Sequence, residues 1–492
     1  MDLAGAAAAL AAVAWAVTLL ALAVLALYGA HRLHLAWAAW GSRRATPAPL
    51  PPLPADAAAW PVVTVQLPLF NEPAVAARLV DAAAALDWPA GRLEVQVLDD
   101  STDGTSALVA ARVAHWRARG ADVVHLRRTD RAGYKAGALE AGRLCARGAL
   151  LLVLDADFVP APDLLVRTVP HFADPTVGMV QVRWDHLNRG PGLLTELEAV
   201  LLDGHFAVEQ RARASRGAVF NFNGTAGLWR AEAITSAGGW HADTLTEDLD
   251  LSYRAALAGW RFVYAGDVVV PAELPADVLA FKSQQHRWAK GSIECARKLA
   301  PTVARARWRW RHKLEAALHL GHNLPYLITL LVLVAGGAAL AAGGGPALAR
   351  PIHLVAAAIT IAVLATFVAA SQRGLGRSRL GALARVPALM ALTAGLAVSQ
   401  SRAIVSGLLG HASEFVRTPK DGATGCARRP ASYRVPAGSI VLAELGLGAY
   451  LAICAGCAAG RGLYGATAML AWLGLGAIAV GVSSIRTALR ST

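Results

Sequence analysis

Three acidic clusters and one basic, aromatic cluster carry the chemistry open to this chain. Asp99 and Asp100 close the run LEVQVL and lead into Ser-Thr-Asp-Gly-Thr. Carboxylates at a strand end are placed to accept hydrogen bonds from a nucleotide base or ribose, although the same residues also write an Asx turn before a helix. Asp155-Ala156-Asp157 closes a strongly apolar run, LLLVLDADF. Two carboxylates this close repel each other unless a cation lies between them. A hard divalent ion, completed by diphosphate oxygens and water, resolves that repulsion. Thr246-Glu247-Asp248 opens the helical run DLDLSYRAALAGW. Thr244 and Glu247 have capping-box spacing, and Asp248 is placed to act as general base on an acceptor hydroxyl. In Gln284-Gln285-His286-Arg287-Trp288, Arg287 offers a fork for a leaving diphosphate and Trp288 a flat face for a sugar ring. The plainer alternative is an interfacial amphipathic helix.

The elements that hold these residues follow from the pattern around them. Short β-branched runs, VVTVQLPLF, LEVQVLDD, ADVVHLRR, LLLVLDADF and VGMVQVRW, alternate with Ala-rich helical stretches. That alternation predicts an α/β domain with a mostly parallel sheet, whose sites lie at the carboxyl ends of the strands. The chain has 492 residues, of which 16% are charged and 55% hydrophobic. Soluble proteins carry about 25% charged residues, so a purely soluble protein is excluded, as are a disordered chain and a bundle made only of membrane helices. Uncharged runs at Ala6–Tyr28, Ala317–Ala341, Ile352–Ala370, Ala437–Gly460 and Gly462–Ser484 are long enough to span.

A sixth apolar run, Val386–Gly410, contains Gln400 and Arg402. The loops on both sides of it are basic, with Arg373, Arg377, Arg379 and Arg385 before it and Arg417, Lys420, Arg428, Arg429 and Arg434 after it. Two cytoplasmic loops cannot be joined by a single crossing. The run therefore reads as an interfacial or re-entrant helix, which leaves five spans, the N-terminus outside and the C-terminus inside. The expected order is an anchor (1–30), a Pro-rich linker (45–60), a cytoplasmic catalytic domain (61–275) and interfacial helices (276–313). Two spans (314–371), the sixth run (386–410), a loop (411–436) and two more spans (437–485) complete it. The net charge of +13 fits loops facing anionic lipid rather than a nucleic-acid partner. Cys454 and Cys457 lie in the apolar stretch LAICAGCAAG, which suits inert packing more than redox chemistry.

As an ordered set, Asp99/Asp100, Asp155-x-Asp157, Thr246-Glu247-Asp248 and Gln284-x-x-Arg287-Trp288 resemble the processive family-2 glycosyltransferases, the cellulose, mannan, hyaluronan and chitin synthases. Pro68-Leu69-Phe70-Asn71-Glu72, Tyr134-Lys135-Ala136-Gly137, Phe222-Asn223-Gly224-Thr225 and Phe415-Val416-Arg417-Thr418-Pro419-Lys420 add to the likeness. Asn221-Phe222-Asn223-Gly224 and Gln285-His286 bring it nearest to plant cellulose-synthase-like mannan and glucomannan synthases, and Arg417 stands where that family's loop usually has valine.

The resemblance implies a GT-A type nucleotide-sugar domain embedded in α-helical membrane segments. It assigns Glu72, Asp99, Asp100 and Lys135 to the nucleotide, and Mg²⁺ or Mn²⁺ to Asp155 and Asp157. Asp248 becomes the base. Gln284 and Arg287 hold the pyrophosphate, Trp288 stacks on the acceptor, and Asn223-Gly224 is the acceptor motif. Phe415–Lys420, with Thr418 and Lys420 toward the donor, becomes a gating loop. The implied reaction is inverting β-transfer of hexose from UDP-glucose or GDP-mannose to a growing glycan that leaves through the membrane. Two alternatives stand beside it: single transfer to a diacylglycerol or ceramide acceptor, and a membrane scaffold with an inactive transferase fold.

Overall fold

The computed structural model describes residues 3–43, 49–190, 192–343, 349–411, 413, 415–422 and 438–489. Cys426, Arg428, Arg429 and Arg434 lie outside the described residues. Helix α1 (Leu3–Ser42) leads in. At about 1.5 Å per residue its 40 residues reach roughly 60 Å, about twice a bilayer's hydrocarbon thickness. It continues well past Tyr28, where the first span is expected to end, and buries Leu35, Ala36 and Ala39 against Val208, Ala212 and Phe367.

The β-branched runs form strands in the expected places. β1 (Val63–Leu69), α2 (Ala76–Ala84), β2 (Leu93–Asp99), α3 (Thr105–Arg117), β3 (Val123–Arg127) and α4 (Tyr134–Cys145) alternate, followed by β4 (Leu150–Val153), α5 (Leu164–Thr168) and β5 (Val177–His186). Then come α6 (Leu193–Gly204), α7 (Arg211–Ser215), β6 (Gly227–Arg230), α8 (Ala231–Ser236), α9 (Glu247–Leu257) and β7 (Arg261–Ala272). The seven strands make one sheet in the order β3-β2-β1-β4-β6-β5-β7. β1 to β4 are parallel, β6 is antiparallel to both neighbours, and β5 pairs in parallel with β7.

Apolar side chains bury on both sheet faces, Val65, Leu67 and Leu152 on one and Leu151, Val153 and Trp229 on the other. The polar letters of β1 and β2 pair with one another across the ladder: Thr64 Oγ1 donates to Glu94 at 2.6 Å and Gln66 Nε2 to Gln96 at 3.1 Å. Pairing of this kind lowers the penalty of burying polar groups, although Gln66 Oε1 is left without a hydrogen-bond partner among the described residues. α4 crosses directly over them, and a Cβ at Gly142 would lie 2.6 Å from Gln66 Nε2.

The rest of the chain is helical. It comprises α10 (Val278–Arg305), α11 (Trp310–Leu320), α12 (Leu324–Leu331), α13 (Gly337–Ala342), α14 (Ala349–Gly374), α15 (Arg379–Leu383), α16 (Val386–Leu409), α17 (Ile440–Ala459) and α18 (Tyr464–Leu489). Among the described residues, six stretches are long and apolar enough to cross a bilayer, and the chain is a membrane protein on that ground. Five coincide with the spans read from the sequence. The sixth, Arg379–Leu409, contains α16.

α16 is one unbroken helix with both ends tied to the α/β domain or to α10. Before it, Arg377 binds Asp185 at 2.7 Å and Asp203 at 2.6 Å, and Arg385 lies 3.4 Å from Glu196. After it, Lys290 donates to His411 O and Ser413 Oγ. Between these ties it lies along α10, Leu389 and Leu396 beside Val278 and Phe281, and Ala403 and Ile404 beside Ala289 and Ile293. Glu444, a charged residue within a span, is fully buried and pairs with Lys282 of α10 at 2.6 Å. Lys282 also donates to Ser484 of α18 at 3.3 Å. Cys454 and Cys457 are free thiols on α17.

Candidate active site

The carboxyl ends of β1, β2 and β4 open onto a cavity of about 190 Å³. β1 and β2 are in register with Leu69 opposite Asp99, and Asp100 N donates to Leu69 O at 3.0 Å. That register brings both Glu72 and Asp100 to the lining of the cavity. Three non-glycine residues among those described have positive φ: Asn71 (57°), Tyr134 (50°) and Ala226 (52°). Each adjoins or nearly adjoins a cavity residue, namely Glu72, Lys135 and Gly224. Strained backbone of this kind persists where the surroundings over-determine it, as around functional sites.

Asp155 and Asp157 follow β4. Asp155 N donates to Thr225 Oγ1 at 2.8 Å, so the Phe-Asn-Gly-Thr segment fixes the start of the motif. Each carboxylate faces an ammonium: Asp155 meets Lys135 at 2.5 Å and Asp157 meets Lys420 at 2.8 Å. Asp157 Oδ2 also accepts from Glu273 N at 3.0 Å, while Asp157 Oδ1 is buried with no hydrogen-bond partner among the described residues. Burial disfavours the charged form of Lys135, but Asp155 and Glu247 outweigh it and hold the amine above its ordinary range. Lys420 is raised in the same way, its burial outweighed by Asp157.

Asp248 stands at the start of α9, where Oδ1 accepts from Leu249 N at 2.8 Å. A Cβ at Gly224, where φ is +80°, would come within 3.1 Å of Asp248 Oδ2, so the bare glycine backbone forms one wall beside this carboxylate. Burial, reinforced by the adjacent Glu247 carboxylate, pushes Asp248 up to about 8. Glu72 is likewise raised to about 8 by burial, against the pull of Lys420 and Arg417. The capping-box expectation fails: the helix begins after Thr246, whose side chain makes no capping bond. Glu247 instead faces Lys135 at 3.9 Å.

α10 brings Gln284, Arg287 and Trp288 to the same cavity. Arg287 Nη2 donates to Thr418 Oγ1 at 2.8 Å, Nη1 donates to Val416 O, and the guanidinium lies 5.0 Å from the Phe415 ring centre. The segment Phe415–Lys420 is thereby drawn across the cavity, with Thr418 buried.

Of the residues expected from the sequence, Glu72, Asp100, Lys135, Asp155, Asp157, Asn223, Gly224, Asp248, Gln284, Arg287, Trp288, Thr418 and Lys420 all line this one cavity. Asp99 does not. It is 1% exposed, accepting from Ser101 N at 2.8 Å and Ser106 Oγ at 2.6 Å and pairing with His125 at 2.8 Å. Burial opposes its ionised form, yet these bonds hold it well below the ordinary carboxylate range. The Asx-turn reading therefore describes Asp99.

Glu273, at the end of β7, was not signalled by any motif. Its carboxylate joins Arg78 at 2.6 Å to Asp421 N at 3.1 Å, tying the loop to the sheet. A separate cluster of His241, Asp243 and Asp250 has metal-ligand spacing. Lys298 fills it, at 2.8 Å from Asp243 and 2.9 Å from Asp250, which makes it an ion-pair joint between α9 and α10.

A largely parallel sheet with an acidic D-x-D at the end of β4 and a carboxylate base candidate on a following helix defines a GT-A type domain, here joined to membrane helices. The comparisons agree. Residues 61–291 match the family described as "Glycosyltransferase like family 2". It is 40% identical over 285 residues to probable glucomannan 4-beta-mannosyltransferase 4 of Oryza sativa subsp. japonica, covering 56% of this chain and 52% of the relative. It is 44% identical over 251 residues to glucomannan 4-beta-mannosyltransferase 2 of Arabidopsis thaliana, covering 50% of this chain and 47% of the relative. The chain thus spans about half the length of these relatives. Among solved structures, the mannosyltransferase PcManGT from Pyrobaculum calidifontis in complex with GDP-Man and Mn2+ is similar, with 25% identity and a TM-score of 0.52. That match covers 73% of this chain and 99% of the other.

Proposed function

We propose that the chain is an inverting β-glycosyltransferase that polymerises hexose from a nucleotide-sugar donor, GDP-mannose or UDP-glucose, and passes the glycan across the membrane. The observation that carries this reading is the convergence of D-x-D, Asp248, Gln284-x-x-Arg287-Trp288 and the Phe415–Lys420 segment on one cavity. The named relatives and the GDP-Man complex favour GDP-mannose as the first donor to test.

In this reading Glu72 and Asp100 contact the nucleotide, and Asp155 and Asp157 hold Mg²⁺ or Mn²⁺. The orphaned Asp157 Oδ1 and two carboxylates already facing cations fit such an ion. When bound, it supplies positive charge toward the leaving diphosphate. Arg287, Gln284 and Lys135 offset the same charge from the protein side. Asp248 takes the proton from the acceptor hydroxyl as its oxygen attacks the anomeric carbon from the face opposite the nucleotide, while Trp288 and the Asn223-Gly224 wall hold the acceptor sugar. A base raised toward neutral pH suits proton transfer in the working range.

The catalytic domain is placed in the cytoplasm, with the N-terminus outside, the C-terminus inside and α16 along the interface. Its support is the basic loops and the tethering of both ends of α16. Titration calorimetry with GDP-mannose, with and without Mn²⁺, tests the site: metal-dependent binding that Asp155→Asn and Asp157→Asn each abolish supports it. Equal binding by wild type and variants contradicts it.

A further inference from the structure

The chain between α6 and α7, His205–Gln210, winds as a wider i→i+5 turn. Such turns inside helices recur at functional sites because they re-aim side chains that a regular helix would point elsewhere. Here the turn lies one helical turn beyond Leu202, which lines the cavity, and it aims two polar side chains, His205 and Gln210, at the back of the acceptor wall. Gln210 Nε2 donates to Asn221 O at 2.9 Å and to Asn223 Oδ1. His205 Nε2 lies 2.8 Å from Asn223 Nδ2, and His205 Nδ1 lies 3.2 Å from Glu209 Oε2. Arg213 stands 3.6 Å behind Glu209.

The chemistry of these groups fixes their roles. Because Gln210 donates to Asn223 Oδ1, the amide nitrogen of Asn223 must face His205. An amide N–H needs an acceptor, so His205 Nε2 is unprotonated and the ring proton sits on Nδ1, where Glu209 accepts it. Each hydrogen bond therefore dictates the next. The backbone of Asn223 is held as well, since its N–H donates to Gln181 Oε1 at 2.9 Å. Asn223 in turn leads directly to Gly224, whose carbonyl accepts from Lys135 at 2.9 Å and whose α-carbon faces Asp248.

We infer that His205, held in one tautomer by Glu209, is a positioning residue that sets Asn223 for acceptor recognition. This rests on the transferase reading above, with Asn223 as part of the acceptor wall. His205 itself does not line the cavity, so its removal is expected to act first on the acceptor.

The test uses the full chain in nanodiscs with GDP-mannose, Mn²⁺ and mannotetraose, varying each substrate in turn. Leaving a buried polar group unpaired typically amounts to a tenfold change or more, so His205→Leu is expected to raise the acceptor KM about tenfold and the donor KM less than twofold. His205→Gln places a carbonyl oxygen where Nε2 stood and should restore most of the loss. Glu209→Leu, which frees the tautomer, should move the acceptor KM in the same direction. An unchanged acceptor KM in His205→Leu overturns the inference. So does an equal rise in both KM values, or a Gln variant as impaired as the Leu variant, since either marks a merely structural role. If wild type turns over neither GDP-mannose nor UDP-glucose, the transferase reading falls and this inference falls with it.

Discussion

Asp248→Asn separates two consequences of one buried carboxyl. Burial and the Glu247 carboxylate raise Asp248 to about 8, whereas an unfolded chain leaves an aspartate near its ordinary value. A carboxyl that binds its proton more tightly when folded lowers stability as pH rises from the unfolded value to the folded one. The penalty is absent at about pH 4, roughly half developed at pH 6, and reaches on the order of 5 kcal/mol above pH 8. Asparagine, which never ionises, removes it. The variant should therefore melt at a higher temperature than wild type at pH 8.5, with a smaller margin at pH 6. Transfer should meanwhile fall by about 10²–10⁴, the usual contribution of a general base, while donor binding is retained. Paired melting curves and initial rates at the two pH values make the comparison. A stability margin that does not grow with pH refutes the buried, protonated resting state. A variant that still transfers at near wild-type rate refutes the assignment of the base.

Other substitutions probe the remaining contacts. Arg287→Ala removes a charge aimed at the leaving diphosphate and releases Thr418, and is expected to lower kcat by about 10²–10³, measured as nucleotide release. Lys282→Met strands Glu444 in the membrane region and should destabilise by about 3–5 kcal/mol; adding Glu444→Leu should recover most of it in the same melting assay. Gly142→Ala sets a methyl 2.6 Å from Gln66 Nε2 and should cost about 1–3 kcal/mol with no change in donor KM.

The sequence was most informative where local pattern and site chemistry coincide. β1, β2, β3 and β5 were legible as compact runs rich in β-branched residues, and β4 as the most apolar run, Leu-Leu-Leu-Val, which ends at the D-x-D. β6 escaped because Gly-Leu-Trp-Arg is four residues long with no β-branched side chain. β7 escaped because Ala-Gly-Asp interrupts it near a register shift against β5. Asp99 and Asp100 show a sharper limit. Asp99 is the last residue of β2 and Asp100 lies just beyond it, and of the two only Asp100 lines the cavity. Which one does depends on His125 and Ser106 on one side and on Arg128, bound to Asp100 at 2.8 Å, on the other. His125 and Arg128 lie 26 and 28 residues from the aspartates they bind. Glu273, His205 and the Lys282–Glu444 pair were hidden for the same reason.

The central claim is that this cavity adds hexose to a growing glycan with inversion. It is tested most directly by supplying the purified, membrane-reconstituted chain with α-configured GDP-mannose or UDP-glucose and Mn²⁺ or Mg²⁺, then determining product size and anomeric linkage by NMR. The account predicts a metal-dependent, ethanol-insoluble, β-linked polymer that Asp248→Asn does not make. A chloroform-soluble product bearing a single sugar, or an α-linked product, would contradict it.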